Sequence, residues 1–135
     1  MKLPITLVLI SYNEEIHLER CLSRIAPWMT RVVVIDSFST DATVEIAERH
    51  GAEVIKHPFK NHADQFRFGL EAAAPTTEWV MRIDCDEYFE ESAFEALARL
   101  LPSLSADVTG VNVRRKLIFR EQWIRHGRYY PVILL

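Results

Sequence analysis

Asp84 and Asp86 flank Cys85 directly after the apolar segment WVMRI. On an extended strand, residues two apart point the same way, so the two carboxylates can share one ligand. Side by side, they need a cation between them or must titrate apart. Hard divalent ions such as Mg²⁺ or Mn²⁺ take carboxylate oxygens and keep positions open for substrate phosphates, and a diphosphate would complete that coordination. The same pair also fits two solvated acids in a turn. Asp36 closes a second apolar run, RVVVID. A carboxylate there can accept from a base N–H or a ribose hydroxyl, or it can brace the turn SFSTD before the next helix. Tyr12 follows a third run, ITLVLIS, where its ring can stack on a nucleobase or pack at a strand edge. Glu87, Glu90 and Glu91 read as acids at a helix N-terminus.

These residues need elements to bring them together, and the apolar periodicity supplies them. Thr6–Ser11 is a near-continuous β-branched run, which reads as a central strand buried on both faces. Ser11 with Glu14 has capping-box spacing, and Asn13 is an alternative cap. Leu18, Cys21, Leu22 and Ile25 then mark one face of a helix that ends near Pro27. Arg31–Asp36 is a second strand, Asp41–His50 a helix closed by Gly51, and Ala52–Lys56 a third strand. Ala63–Ala74 is a helix with Phe66, Leu70 and Ala73 on one face. Trp79–Ile83 is a fourth strand, followed by a helix with a Ser92–Glu95 capping box and with Phe94, Leu97 and Leu101 on its apolar face. A further strand lies within 108–119. Strand–helix alternation predicts an α/β fold, a mostly parallel sheet with helices on both faces. In such sheets ligands sit at the carboxyl ends of strands. Ser11–Glu14, Asp36–Ser37 and Asp84–Asp86 all fall at those ends.

The composition excludes several classes. Half-apolar content (49%) with 26% charged residues is that of a globular chain. Cys21 and Cys85, the only cysteines, make neither a zinc set nor a disulfide framework, so a cytoplasmic context is expected. Leu3–Ile10 is too short to span a membrane and lacks a cleavage pattern. A net charge of −3 argues against nucleic acid as partner. The charge is uneven, because Val113–Arg128 holds six basic residues and one acid. That segment reads either as a solvated edge or as a surface for an anionic partner, such as a phosphate, an acidic glycan or a membrane face. With four glycines and no G-x-G-x-x-G or P-loop pattern, a Gly-rich phosphate cradle is excluded. The five histidines share no metal-ligand spacing.

LISYNEE, VVVIDSFSTDAT and RIDCDEYF, in that order, resemble the inverting family 2 glycosyltransferases with the GT-A fold. IDSFSTD and WIRHGRYYP look more like the bacterial lipopolysaccharide-core glucosyltransferase subgroup. The resemblance implies a nucleotide-diphosphate sugar donor, UDP-sugar favoured, and a glycan or glycolipid acceptor. It implies that Tyr12, Asn13 and Glu14 line the nucleotide pocket, Asp36 holds the base, Asp84 contacts ribose or sugar, and Asp86 binds the metal with Asp84. Gln65 and Arg67 stand where an Arg-Asn pair often contacts the donor. Ser37 stands where many members carry a second Asp. The implied mechanism is a single displacement assisted by a carboxylate base, and no position in this chain matches that base. Residues 1–135 are expected to form one nucleotide-sugar-binding domain, truncated before the acceptor half.

Overall fold

The computed structural model describes residues 1–127 and the backbone of 132–134. The chain forms two compact units, Met1–Arg99 and Leu100–Leu135.

The first unit alternates as its apolar pattern requires. β1 (Leu3–Ser11), α1 (Glu15–Ile25), β2 (Met29–Asp36), α2 (Thr43–Arg49), β3 (Glu53–Lys56), α3 (His62–Ala73), β4 (Trp79–Arg82) and α4 (Glu91–Leu100) follow in order. The four strands are all parallel, in the order β3-β2-β1-β4. β1 pairs on both edges, and Leu7, Val8 and Leu9 are fully buried. Their side chains alternate between faces, so both faces of the sheet are covered. On one face Val8, Val33 and Ile35 pack with Ala73 of α3. The opposite face takes the apolar stripe of α1 (Leu18, Cys21, Leu22, Ile25) and that of α2, two helices that touch each other.

On α3 the expected Phe66, Leu70 and Ala73 pack on one core cluster, and the helix also buries Gln65 and Gly69 and lies close on the sheet. The reason is Gly69, where a Cβ would sit 2.9 Å from Ile35 Cγ1 and 3.1 Å from Val8 Cγ1. The bare glycine lets the helix backbone approach the sheet along that line. The Ser11–Glu14 capping box does not form, and Asn13 does not cap α1. Glu14 occupies the cap position without a side-chain bond, and the acceptors for the first amides of α1 come from another loop, as described below. Nor does Ser92 cap α4, since the helix already begins at Glu91. α3, by contrast, is capped by Asn61, whose side chain accepts from the Asp64 amide at 2.8 Å.

The second unit holds short antiparallel pairs. β5 (Val113–Arg115) pairs with β8 (Val132–Leu134), and β6 (Leu117–Phe119) pairs with β7 (Gln122–Ile124). Arg120 and Glu121 link β6 to β7 with φ of 49° and 64°, the left-handed pair that a two-residue hairpin turn demands. Leu117, Ile118 and Phe119 are exposed, as are Arg114, Arg115, Lys116, Arg120 and Arg125. Arg128 of the basic segment and the tyrosines and proline of WIRHGRYYP lie outside the described residues.

Candidate nucleotide-sugar site

Strand order places the site. The chain runs from β1 outward to β2 and β3, then crosses back to add β4 on the other side of β1. Such a reversal opens a crevice at the carboxyl ends of the two diverging strands. The loop 12–14 leaves β1 there, and Asp84–Asp86 follows β4. Cys85 joins the two, its thiol donating to the Ile10 carbonyl at 3.3 Å.

The two acids sit in a turn rather than on an extended strand end. β4 stops at Arg82, and the Glu87 amide donates to the Asp84 carbonyl at 3.0 Å. The Glu87 carboxylate accepts from the Asp84 amide at 3.1 Å. Alternation survives in the turn, because Asp84 and Asp86 are exposed while Cys85 is buried between them. Asp84 lies 3.8 Å from the Arg82 guanidinium, an exposed and weak pairing. Burial pushes the Cys85 thiol pKa well up, and the neighbouring Cys21 and the carboxylates of Glu14, Asp84 and Asp86 push it further. Among the described residues, no group of three His, Cys, Asp or Glu side chains could by itself hold a metal. Two exposed hard-oxygen donors on one turn fit a divalent cation that takes its other ligands from a phosphate and water.

The loops after β1 and β2 are built differently. Asp36 is fully buried. Its Oδ1 accepts from the Ser11 hydroxyl at 2.9 Å and the Ser39 hydroxyl at 2.5 Å, and its Oδ2 from the Ser39 amide at 2.8 Å. Asn13 adopts φ 50°, a conformation Asn tolerates better than most residues. Its Oδ1 accepts from the Thr40 amide at 2.8 Å, and its own amide donates to Ser39 Oγ at 2.9 Å. The first amides of α1 are satisfied from this second loop, Glu14 N by Thr43 Oγ1 at 2.8 Å and Glu15 N by Asp41 Oδ2 at 3.2 Å. In return, Glu15 accepts from the Ala42 amide at 3.0 Å. Burial opposes ionisation of Asp41, but bonds from the Thr43 hydroxyl and amide and from the Glu15 amide outweigh it and hold the carboxyl below its usual value. Tyr12 is exposed at 59% on the outside of this zipped pair of loops.

Gln65 is fully buried too. Its amide donates to Ser37 Oγ at 3.0 Å and to the His57 carbonyl at 3.2 Å, while its oxygen is 2.8 Å from His57 Nδ1. His57 in turn stacks on Phe68 with ring centroids 3.7 Å apart. Gln65 therefore ties α3 to the ends of β2 and β3 from below. Arg67 is exposed at 71% and pairs with Asp64 at 3.1 Å on its own helix.

The structure thus sets Asp84 and Asp86 on one exposed turn beside the end of β1, from which Tyr12, exposed, and Glu14 follow. Asp36 and Gln65 are buried and hydrogen-bonded within the protein, Asn13 is exposed while bonded to Ser39 and Thr40, and Arg67 pairs with Asp64 on its own helix. Sequence reasoning missed the bracing roles of Ser39, Asp41 and Thr43, and of Cys85. The alternation of Asp-Cys-Asp carried the last of these, since an apolar residue between two exposed acids must point inward.

A four-stranded parallel sheet in this order, flanked by helices, matches the α/β fold of GT-A enzymes. The chain belongs to Glycosyl transferase family 2, whose pattern matches residues 6–134. It is 29% identical over 120 residues to LpsC of Rhizobium meliloti, a lipopolysaccharide core biosynthesis glycosyltransferase, covering 85% of this chain and 43% of that protein. An uncharacterized glycosyltransferase of Mycobacterium bovis is 34% identical over 130 residues, covering 96% of this chain and 57% of that protein. The chain therefore spans about half the length of these two relatives. Among solved structures, glucosyl-3-phosphoglycerate synthase of Mycobacterium tuberculosis in complex with uridine diphosphate superposes with a TM-score of 0.56 at 27% identity, over 73% of this chain and 40% of that one. The same synthase is also known with Mn²⁺ and uridine diphosphate bound. S. aureus TarS in complex with UDP-GlcNAc shares the fold with a TM-score of 0.59 at 22% identity, over 76% of this chain and 31% of that one. No helix of the described residues is long and apolar enough to cross a membrane.

Proposed function

We propose that this chain supplies the donor half of an inverting, metal-dependent glycosyltransferase that moves a sugar from a nucleotide-diphosphate sugar, UDP-sugar favoured, to a glycan or glycolipid acceptor. The observation that carries this reading is the Cys85–Ile10 bond, which sets the exposed Asp84 and Asp86 beside the loop leaving β1. Asp84 and Asp86 would hold Mg²⁺ or Mn²⁺ against the diphosphate, and the ion, when bound, neutralises charge on the departing nucleotide. Tyr12 offers an exposed ring for the base, and Glu14 lies beside the metal pair. Asp36, Asn13, Gln65 and Ser37 set the shape of the base-side loops from within, so their part in donor binding is to hold backbone and not to touch ligand. Arg67 meets donor only if it leaves Asp64.

The acceptor reading rests on the second unit. Its exposed arginines and lysine, with Lys116 Nζ 5.0 Å and Arg125 Cζ 4.2 Å from the Trp123 ring centre, fit a phosphorylated glycolipid or an anionic membrane face. Cell-envelope polysaccharide or lipopolysaccharide synthesis on the cytoplasmic side follows from that reading and from the likeness to LpsC. The late acids Asp107, bonded to Ser105, and Glu121, in the β6–β7 turn, are not proposed as the base.

Calorimetric titration of uridine diphosphate, with and without Mn²⁺, tests the donor site on wild type and Asp86→Asn. Binding that needs both the cation and Asp86 is the expected result. Cation-independent binding, unchanged in Asp86→Asn, removes the metal role. Saturable binding without sugar transfer to any acceptor favours a second reading, a nucleotide-sugar-binding module that lacks a base.

A further inference from the structure

Arg20 and Arg24 lie one turn apart on α1 and share a face. Both reach the same ring, with Cζ 5.0 Å and 4.4 Å from the centre of Tyr88. Two cations over one ring repel each other, on the face of α1 away from its buried stripe. Tyr88, however, follows directly on the Asp84–Glu87 turn. Arg20 also reaches back over that turn, its Nη2 donating to the Asp86 carbonyl at 3.3 Å. That bond takes the backbone oxygen of Asp86 and leaves its carboxylate pointing to solvent. The turn carries three acids in four residues, with Glu14 close by, so its own charges drive it open when no cation is present. Cys85 pins it from beneath at Ile10, and Arg20 closes it from α1.

We infer that Arg20 is a positioning residue, which holds the Asp86 carbonyl and the Tyr88 ring so that the carboxylate pair keeps its donor-ready geometry before cation or nucleotide arrives. The inference rests on the donor-site reading for its binding consequence, and on the turn geometry alone for its consequence in the metal-free protein.

Two readouts on the full chain separate positioning from simple charge. The first is hydrogen exchange of the Asp84 and Glu87 amides without metal, in wild type, Arg20→Ala, Arg20→Lys and Arg24→Ala. Positioning predicts that Arg20→Ala speeds exchange at these two amides about fivefold to tenfold, with β1 amides and the urea midpoint unmoved. Arg20→Lys restores part of the protection, because an ammonium can still donate to the carbonyl, and Arg24→Ala has the smaller effect. The second readout is uridine diphosphate affinity in Mn²⁺. Removing a positive charge beside two carboxylates would tighten cation binding by Coulomb's law alone. Loss of positioning weakens it by a similar fivefold to tenfold. Unchanged exchange, or tighter Mn²⁺-dependent binding in Arg20→Ala, overturns the inference. If wild type binds no nucleotide with Mn²⁺, the donor reading fails instead, and the exchange result still decides the role of Arg20.

Discussion

Two acidic segments border the same edge of the sheet and are built in opposite ways. Asp36 after β2 is sealed, with three protein donors on its two oxygens and no exposure. Asp84 and Asp86 after β4 stand in solvent, on a turn fixed through Cys85, the Glu87 bonds to the Asp84 backbone and the backbone bond from Arg20. A carboxylate whose lone pairs are taken by serine donors braces its loop. One left open at a topological switch point is available to a ligand. The difference separates the acids that hold the site from those that can serve it, although both end apolar strands.

Mutation should widen that contrast. Asp36→Ala strands the Ser11 and Ser39 donors in a dry interior and should destabilise the fold by about 3 kcal/mol, read as a lower urea midpoint. A variant that keeps wild-type stability would break the comparison, because Asp36 would then brace nothing. Gln65→Ala unties Ser37 and His57 and should cost about 2 kcal/mol on the same assay. If nucleotide affinity falls while stability holds, Gln65 touches ligand after all.

The thiols beneath the open turn give a pH test. Burial pushes Cys21 from its ordinary 9.0 up to about 12, with Glu87 adding to the rise, and Cys85 is raised in the same direction. A raised folded pKa means the native state keeps a proton the unfolded chain has lost. Stability is therefore full below about pH 9 and falls as pH rises toward about 12, by up to about 1.4 kcal/mol per pH unit for each thiol. Urea midpoints measured across that range should show the slope, and it should shrink in Cys21→Ala. A flat profile would mean the turn admits water to both sulfurs.

Asp86→Asn sits at the small end for stability, within about 0.5 kcal/mol of wild type, since it removes one of several crowded exposed charges. It should nonetheless abolish metal-dependent nucleotide binding. A large stability loss would place Asp86 with Asp36 as a brace and erase the distinction.

Much of this was legible before any coordinates. The β-branched runs at 6–11 and 31–36 demanded buried parallel strands, and the apolar stripe of α1 appears at the four positions its spacing marked. Boundaries moved by one to three residues where local signals competed. The capping signals at Ser11 and Ser92 misled, because each of these residues had another place in three dimensions. Ser11 gives its hydroxyl to Asp36, and Ser92 lies within the first turn of α4. On α3 the apolar spacing found Phe66, Leu70 and Ala73 but not Gln65 and Gly69, because a glycine and a buried glutamine carry no hydrophobic signal, yet they lie along the line where the helix meets the sheet.

Periodicity and residue type by themselves determined the strand–helix alternation and the parallel sheet. They also determined that the acids collect at strand ends, because side-chain direction follows from backbone repeat alone. Only the tertiary structure decided which acids are spent. Whether a side-chain oxygen is free depends on donors from segments distant in sequence, Ser11 for the Asp36 carboxylate and Thr40 for the Asn13 amide oxygen, and on the reversal of strand order that leaves the crevice beside β1 and β4. Long-range pairings of that kind leave no periodic trace in the chain.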